Sequence, residues 1–353
     1  MTSVDVPIPL AALATPLASD LPTNAPPRAA RRAGARDVGF DAARVVASLG
    51  IVWVHATRSP QTEHVSGAGV FGTAFFTAAA MFFLARGLRR EPDREYLDYT
   101  AHRFRRLIVP FLAWSVIYFV FRNACRALLT HQPMVGLTGG TLLTGTEMQL
   151  WFLPFLFLAG MLFFPMLKLA VRSDDTRRVV GWTTFWLGVA LLALPAPRDE
   201  SSDRARFVTC AWFVTPSLCF GIAAGLLVRS MEELRSWGFA VAGIGATICS
   251  MTYVCLTGPS IVGKNLGGLG WLAMSLAIKP FGVLQRLARL APLTFGVYLI
   301  HPFVTGTLRS VLLKLGCQSN GIFDVSMFAF TVPIAFGLAW LIHRSERTRW
   351  LVP

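Results

Sequence analysis

Asp41-Ala-Ala-Arg44-Val-Val-Ala47-Ser-Leu-Gly-Ile-Val-Trp-Val-His55 lies inside an apolar run over residues 39–57. That run matches the roughly 20 mainly apolar residues a helix needs to cross a bilayer. On either side of the charged breaks that follow it stand nine more runs: 69–88, 107–121, 149–167, 179–195, 207–228, 237–256, 266–283, 292–313 and 322–342. The 353 residues are 54% hydrophobic and only 15% charged, with a mean hydropathy of +0.54. Soluble domains average about 45–50% apolar and about 25% charged residues. The chain therefore reads as an all-α, polytopic integral membrane bundle of about ten transmembrane helices, with no room for a sizeable soluble domain.

The net charge of +14 points to orientation rather than to nucleic acid. Basic residues alternate from loop to loop: 23 of the 33 Lys and Arg fall on the side of the two termini, and nine on the other. By the positive-inside rule both termini face the cytoplasm. The Pro-, Ala- and Ser-rich stretch 1–36 reads as a disordered cytoplasmic tail, and 37–353 as the transmembrane domain. No basic stretch precedes the short apolar segment near Pro9, so a cleavable signal peptide is not expected. The six cysteines show no CxxC and no Cys/His ligand spacing, which argues against a zinc module and a disulfide scaffold; no metal site is expected. There is no Walker loop and no GxGxxG after a strand, which leaves no sign of a nucleotide-driven motor.

The chemistry concentrates in the first span. At about 100° per residue, Arg44 and His55 fall roughly 20° apart around the axis and about 16 Å apart along it, with Asp41 about 40° from His55. Three ionisable groups on one face of a lipid-embedded helix are costly unless they face protein or water. In the plain alternative, Asp41 and Arg44 form an ordinary i,i+3 pair at headgroup level while His55 snorkels outward. Imidazole is otherwise a ready base at neutral pH. Two functional classes use such a face: an enzyme working across the membrane, and a transporter or glycan exporter with Asp41, Arg44 and His55 as a proton relay. No obvious pair of broken helices supports the transporter.

The spacing Asp41-x-x-Arg44-x-x-Ala47, with His55 eight positions on, resembles the first-span signature of the membrane acyltransferase-3 family. Three further segments resemble family motifs in order: Arg103-Phe-Arg105-Arg106 leading to Pro110, Leu150-Trp151-Phe152-Leu153, and Tyr298-Leu-Ile-His301. Two positions depart from the family pattern, Gln149 where many members carry His, and Thr77-Ala78-Ala79-Ala80 after Phe75-Phe76.

The resemblance spans about residues 38–343. It implies a bacterial inner-membrane O-acyltransferase that takes an acyl group, usually acetyl, from acyl-CoA as co-substrate and passes it to a hydroxyl of an exopolysaccharide or other cell-surface glycan. No permanently bound cofactor is implied. On that likeness Arg44 and His55 match the essential pair, and Arg103 with Arg105 match a donor-handling stretch. The mechanism read onto these residues makes His55 the general base, with Arg44 lining the donor path and Asp41 orienting it. Arg103, Arg105 and Arg106 would meet the CoA phosphates. Arg58, Trp151, Tyr298 and His301 are candidates for the substrate cavity. Several have a bland reading as well: a topology anchor for Arg103 to Arg106, an interface aromatic for Trp151, a bond to a proline-freed carbonyl for His301. Glu147 reads as a solvated loop charge. The expected partners are the lipid bilayer and a glycan acceptor; oligomeric state is open.

Overall fold

The computed structural model describes residues 37–127, 133–195, 197, 201–279 and 281–353; the side chain of Glu63 is left aside. The expected tail over 1–36 lies outside the described residues. There are no strands among the described residues. Among the described residues ten long helices dominate: α1 (Val38–Ala56), α2 (Phe71–Arg90), α3 (Val109–Cys125), α4 (Phe152–Ala170), α5 (Asp174–Ala193), α6 (Asp203–Leu227), α7 (Trp237–Thr257), α8 (Ile261–Ala277), α9 (Thr294–Lys314) and α10 (Gly321–Arg344). Eight apolar stretches among the described residues are long enough to cross a membrane. Alone among the ten long helices, α5 and α8 fall outside those stretches, α5 for its charged first turn and α8 for its 17-residue length. The chain is a multi-pass helical membrane protein.

Short polar residues set where most helices begin. Asp37, Ser173, Ser202, Ser236, Ser260 and Asn320 each accept a backbone N–H three residues on, which satisfies a donor the first helical turn cannot pair internally. These caps shift three expected boundaries. α5 and α6 start at Asp174 and Asp203, earlier than apolar runs indicate. α8 covers 261–277 rather than 266–283, because Ser260 caps it. Its Gly267, Gly268 and Gly270 thus lie inside the helix. α3 runs to Cys125, past Arg122, and is reached through a helix over Tyr96–Arg103 and a π-helical turn at Phe104–Ile108.

α2 sits at the centre, packed against α1, α4, α6 and α8. Its Ala74, Ala78 and Ala85 are buried, and they let neighbouring backbones come close. A β-carbon added at Gly268 would lie 2.6 Å from Ala74 Cβ and 2.6 Å from Phe75 N. Close backbone approach through small residues is the usual way helices associate in lipid, where no hydrophobic effect drives them together. α7 repeats the device with a buried stripe of Ala240, Gly243, Thr247, Ser250 and Val254, alternating three and four residues apart and facing α8, while Val241, Ile244 and Ile248 are exposed. The apolar face looks outward and the small, polar face inward, the arrangement lipid demands.

Gly268→Val should therefore destabilise the bundle by about 1–3 kcal/mol through overpacking. Thermal unfolding of the detergent-solubilised protein is expected to shift down for this variant and not for Gly87→Ala, where nothing lies within 4 Å of the added carbon and alanine is the better helix former.

Candidate functional site

The polar side chains of α1 turn toward one neighbour. Near its start, Arg44 donates from Nη1 to Asp41 Oδ1 at 3.4 Å and from Nη2 to Thr294 Oγ1, also at 3.4 Å. Near its end, the His55 ring lies 5.1 Å from the ring of His301, centroid to centroid. Thr294 and His301 both belong to α9, so the predicted common face of Arg44 and His55 is met by a single helix. That arrangement differs from the bland reading of His55, which is half-buried beside another imidazole rather than snorkelling.

At the Arg44 end the basic stretch converges only in part. Arg106 is within electrostatic reach of both Arg103 and Arg44. The Arg103 and Arg94 guanidinium groups sit over the ring of Tyr99, at 5.5 Å and 5.4 Å from its centroid. Arg105 and Arg106 are both exposed, and neither forms a hydrogen bond or ion pair among the described residues. Arg103 and Arg106 are the two whose charges act within the group that includes Arg44.

At the other end, four helices meet. His301 is fully buried, with Nδ1 3.1 Å from the Val297 carbonyl and the Tyr298 carbonyl also beside the ring. Pro302, lacking an N–H, cannot serve the Tyr298 carbonyl, so the imidazole does part of what the proline leaves undone. A carbonyl only accepts, so Nδ1 carries the proton and Nε2 presents a lone pair. Nε2 has no hydrogen-bond partner among the described residues.

Tyr298 donates its hydroxyl to the Gln149 carbonyl, and Tyr118 donates to the Leu299 carbonyl at 2.6 Å. These bonds tie α9 to α3 and to the start of α4. The Gln149 side-chain Nε2 is buried and also without a partner. Arg58, directly after α1, exerts its charge on both His55 and Glu147.

Glu147 departs from the solvated charge expected of it. It is half-buried, and burial pushes its carboxyl above the usual carboxylate range, with Arg122 and Arg58 pulling the other way. It lines a cavity of about 210 Å³ with Trp151, Arg122, Arg206 and Phe207. A second, more open cavity of about 430 Å³ adjoins it, sharing Asp203 and Arg206. Trp151 is buried rather than belted at an interface; it packs on Phe152, Phe155 and Phe207. Hydrophobic patterning could not reveal Glu147, because its burial depends on the segments 144–151 and 203–210 meeting in space. Carboxylate, guanidinium and aromatic edges thus converge on one cavity, the mixture of apolar wall and few polar groups common to ligand sites.

Among the described residues no group of His, Cys, Asp and Glu could hold a metal ion. A family model described as an acyltransferase domain matches residues 37–344. No curated protein and no solved structure matches the chain.

Tyr298→Phe would strip the buried Gln149 carbonyl of its hydroxyl donor, at a cost of about 1–3 kcal/mol. The midpoint of thermal unfolding is expected to drop for Tyr298→Phe and to stay in place for Tyr253→Phe, whose side chain is exposed on α7.

Proposed function

The chain belongs to the acyltransferase-3 family and is a membrane acyltransferase, and from that premise we propose that it moves an acyl group, acetyl in our reading, from cytoplasmic acyl-CoA to a hydroxyl of an exported or cell-surface glycan. The observation that carries the reading is the turn of Arg44 and His55 toward the same helix, α9, with an arginine cluster at one end and a polar, aromatic-edged cavity near the other. Family membership also favours transfer over the transport reading of the same residues.

In this proposal both termini face the cytoplasm of a bacterial inner membrane, as the distribution of basic residues indicates. Arg103 and Arg106 receive the CoA phosphates, to which guanidinium forks are suited. Arg105 contributes charge from outside that cluster. The acyl-bearing arm reaches past Arg44 toward His55, and Asp41 and Thr294 hold the Arg44 guanidinium in place.

The acceptor enters on the side of the Glu147 and Trp151 cavity, which accommodates a sugar ring against aromatic and charged walls. His55 takes the proton of the acceptor hydroxyl while its oxygen attacks the thioester carbonyl carbon. The C–S bond then breaks, the acyl group stays on the glycan oxygen, and the departing CoA thiolate recovers the proton. His301, with a lone pair on Nε2, sits where it can share that proton with His55. The developing oxyanion calls for a positive or N–H donor. Arg58 is the guanidinium within reach of His55, whereas the Tyr298 hydroxyl is committed to Gln149.

Loss of a general base costs about 10²–10⁴ in rate. His55→Ala should therefore abolish acylation of surface polysaccharide, followed by mass spectrometry, while the protein remains inserted and the glycan still reaches the surface. Acylation that persists in this variant would reject His55 as the base. On the donor side, Arg103→Ala with Arg106→Ala should weaken acetyl-CoA binding by about tenfold or more, since each charge-assisted bond is worth about 1.5–3 kcal/mol. Arg105→Ala is expected to have a smaller effect, and titration calorimetry with acetyl-CoA compares them.

A further inference from the structure

One carboxylate is buried where none is needed for the steps above. Asp324, in the first turn of α10, is fully buried, yet it lies 266 residues from the backbone it holds. Its Oδ2 accepts the Arg58 N–H at 2.9 Å, the Ser59 N–H at 2.8 Å and the Thr62 hydroxyl at 2.5 Å. Its Oδ1 faces Arg309 Nη2 of α9 at 3.5 Å. The same Nη2 donates to the Ala56 carbonyl at 2.6 Å, and the guanidinium lies over the Phe323 ring.

The sites these groups bind are the ones a helix end leaves open. α1 stops at Ala56, and its last carbonyls have no internal donor. Arg309 supplies one donor and places a cation at the negative end of the helix dipole. Asp324 then takes the next N–H groups of the departing chain. Burying an ion pair in a membrane bundle is costly, and hydrophobic packing of the same volume would commonly be as stable or more so. Stability alone is therefore a poor reason for its presence. What it does control is geometry: His55 lies one residue before Ala56, and Arg58 exerts its charge on both His55 and Glu147.

We infer that Asp324 and Arg309 are positioning residues, a clamp from α9 and α10 that fixes the end of α1 so that His55 stays against His301 and the backbone of Arg58 and Ser59 stays in place. The inference rests on the reading of His55 as the base. Neither residue touches the reacting atoms. Their effect on transfer runs through the backbone of residues 56–62.

The test uses the full-length protein in membrane vesicles, with radiolabelled acetyl-CoA as donor and the host cell's own surface polysaccharide as acceptor, rates being expressed per folded protein. Asp324→Asn keeps the shape but sets an amide N–H against either the Arg309 guanidinium or the loop N–H groups. Backbone amide exchange at residues 58 and 59, read by mass spectrometry, should rise. kcat should fall about tenfold to a hundredfold, the scale of a misplaced catalytic group. KM for acetyl-CoA, which is handled at the other end of α1, should stay within about twofold. Thr62→Val removes a single donor to Oδ2 and should show the same pattern more weakly; it carries the test if Asp324→Asn fails to insert. Unchanged exchange, unchanged kcat, or a rise in KM matching the fall in kcat would each overturn the clamp. His55→Ala separates the two ideas: activity retained there defeats the base assignment, while amide exchange still decides whether the clamp exists.

Discussion

Charge inside a bilayer must find a partner, and α1 carries more of it than any ordinary span tolerates. Asp41, Arg44 and His55 lie on one face, and α9 covers that face from Thr294 to His301. Much of the architecture follows from this requirement. α9 must stand beside α1 along its length, and its other faces are then tied to α3 by Tyr118, to the start of α4 by Tyr298, and to α10 by Arg309 and Asp324. Few of these ties are apolar. They are hydrogen bonds to backbone carbonyls and one ion pair, interactions that lipid cannot replace if they are lost.

The remaining helices solve a different problem. α2, α6, α7 and α8 approach one another through alanines and glycines, with their larger apolar side chains turned outward or into the gaps between backbones. This half is held by close packing, which accounts for the three glycines of α8 lying where α2 and α7 come nearest. The polar half and the packed half share α2, which contacts α1 on one side and α6 and α8 on the other. The membrane acyltransferase thus combines a closely packed scaffold with a polar seam between α1 and α9.

Some of this was legible in the residues. The ten apolar runs correspond one for one with the ten long helices, because burial in lipid makes hydrophobicity itself the signal. Boundaries were less legible at α5, α6 and α8, where a Ser cap, not the start of the apolar run, sets the first turn. The common face of Arg44 and His55 followed from helical geometry, and four short motifs in order marked the family that the match over 37–344 establishes. Glu147 shows the limit, since a carboxylate in a loop looks solvated in sequence and is half-buried once the segments around it meet. Asp324 and Arg309 raised no signal, since a single acidic residue at a helix start is an ordinary sight.

The difference lies in the range of the forces involved. Hydrophobic run length, the 3.6-residue period and helix caps act within a few residues, so a multi-span helical bundle and a charged stripe on its first helix follow from local residues alone. Which side chains complete that stripe was decided by contacts between residues 149 to 266 positions apart: His55 with His301, Tyr298 with Gln149, Asp324 with the backbone of Arg58 and Ser59. Such pairings cannot be read from local pattern, because they depend on which helices become neighbours, and that is settled by packing the whole chain at once.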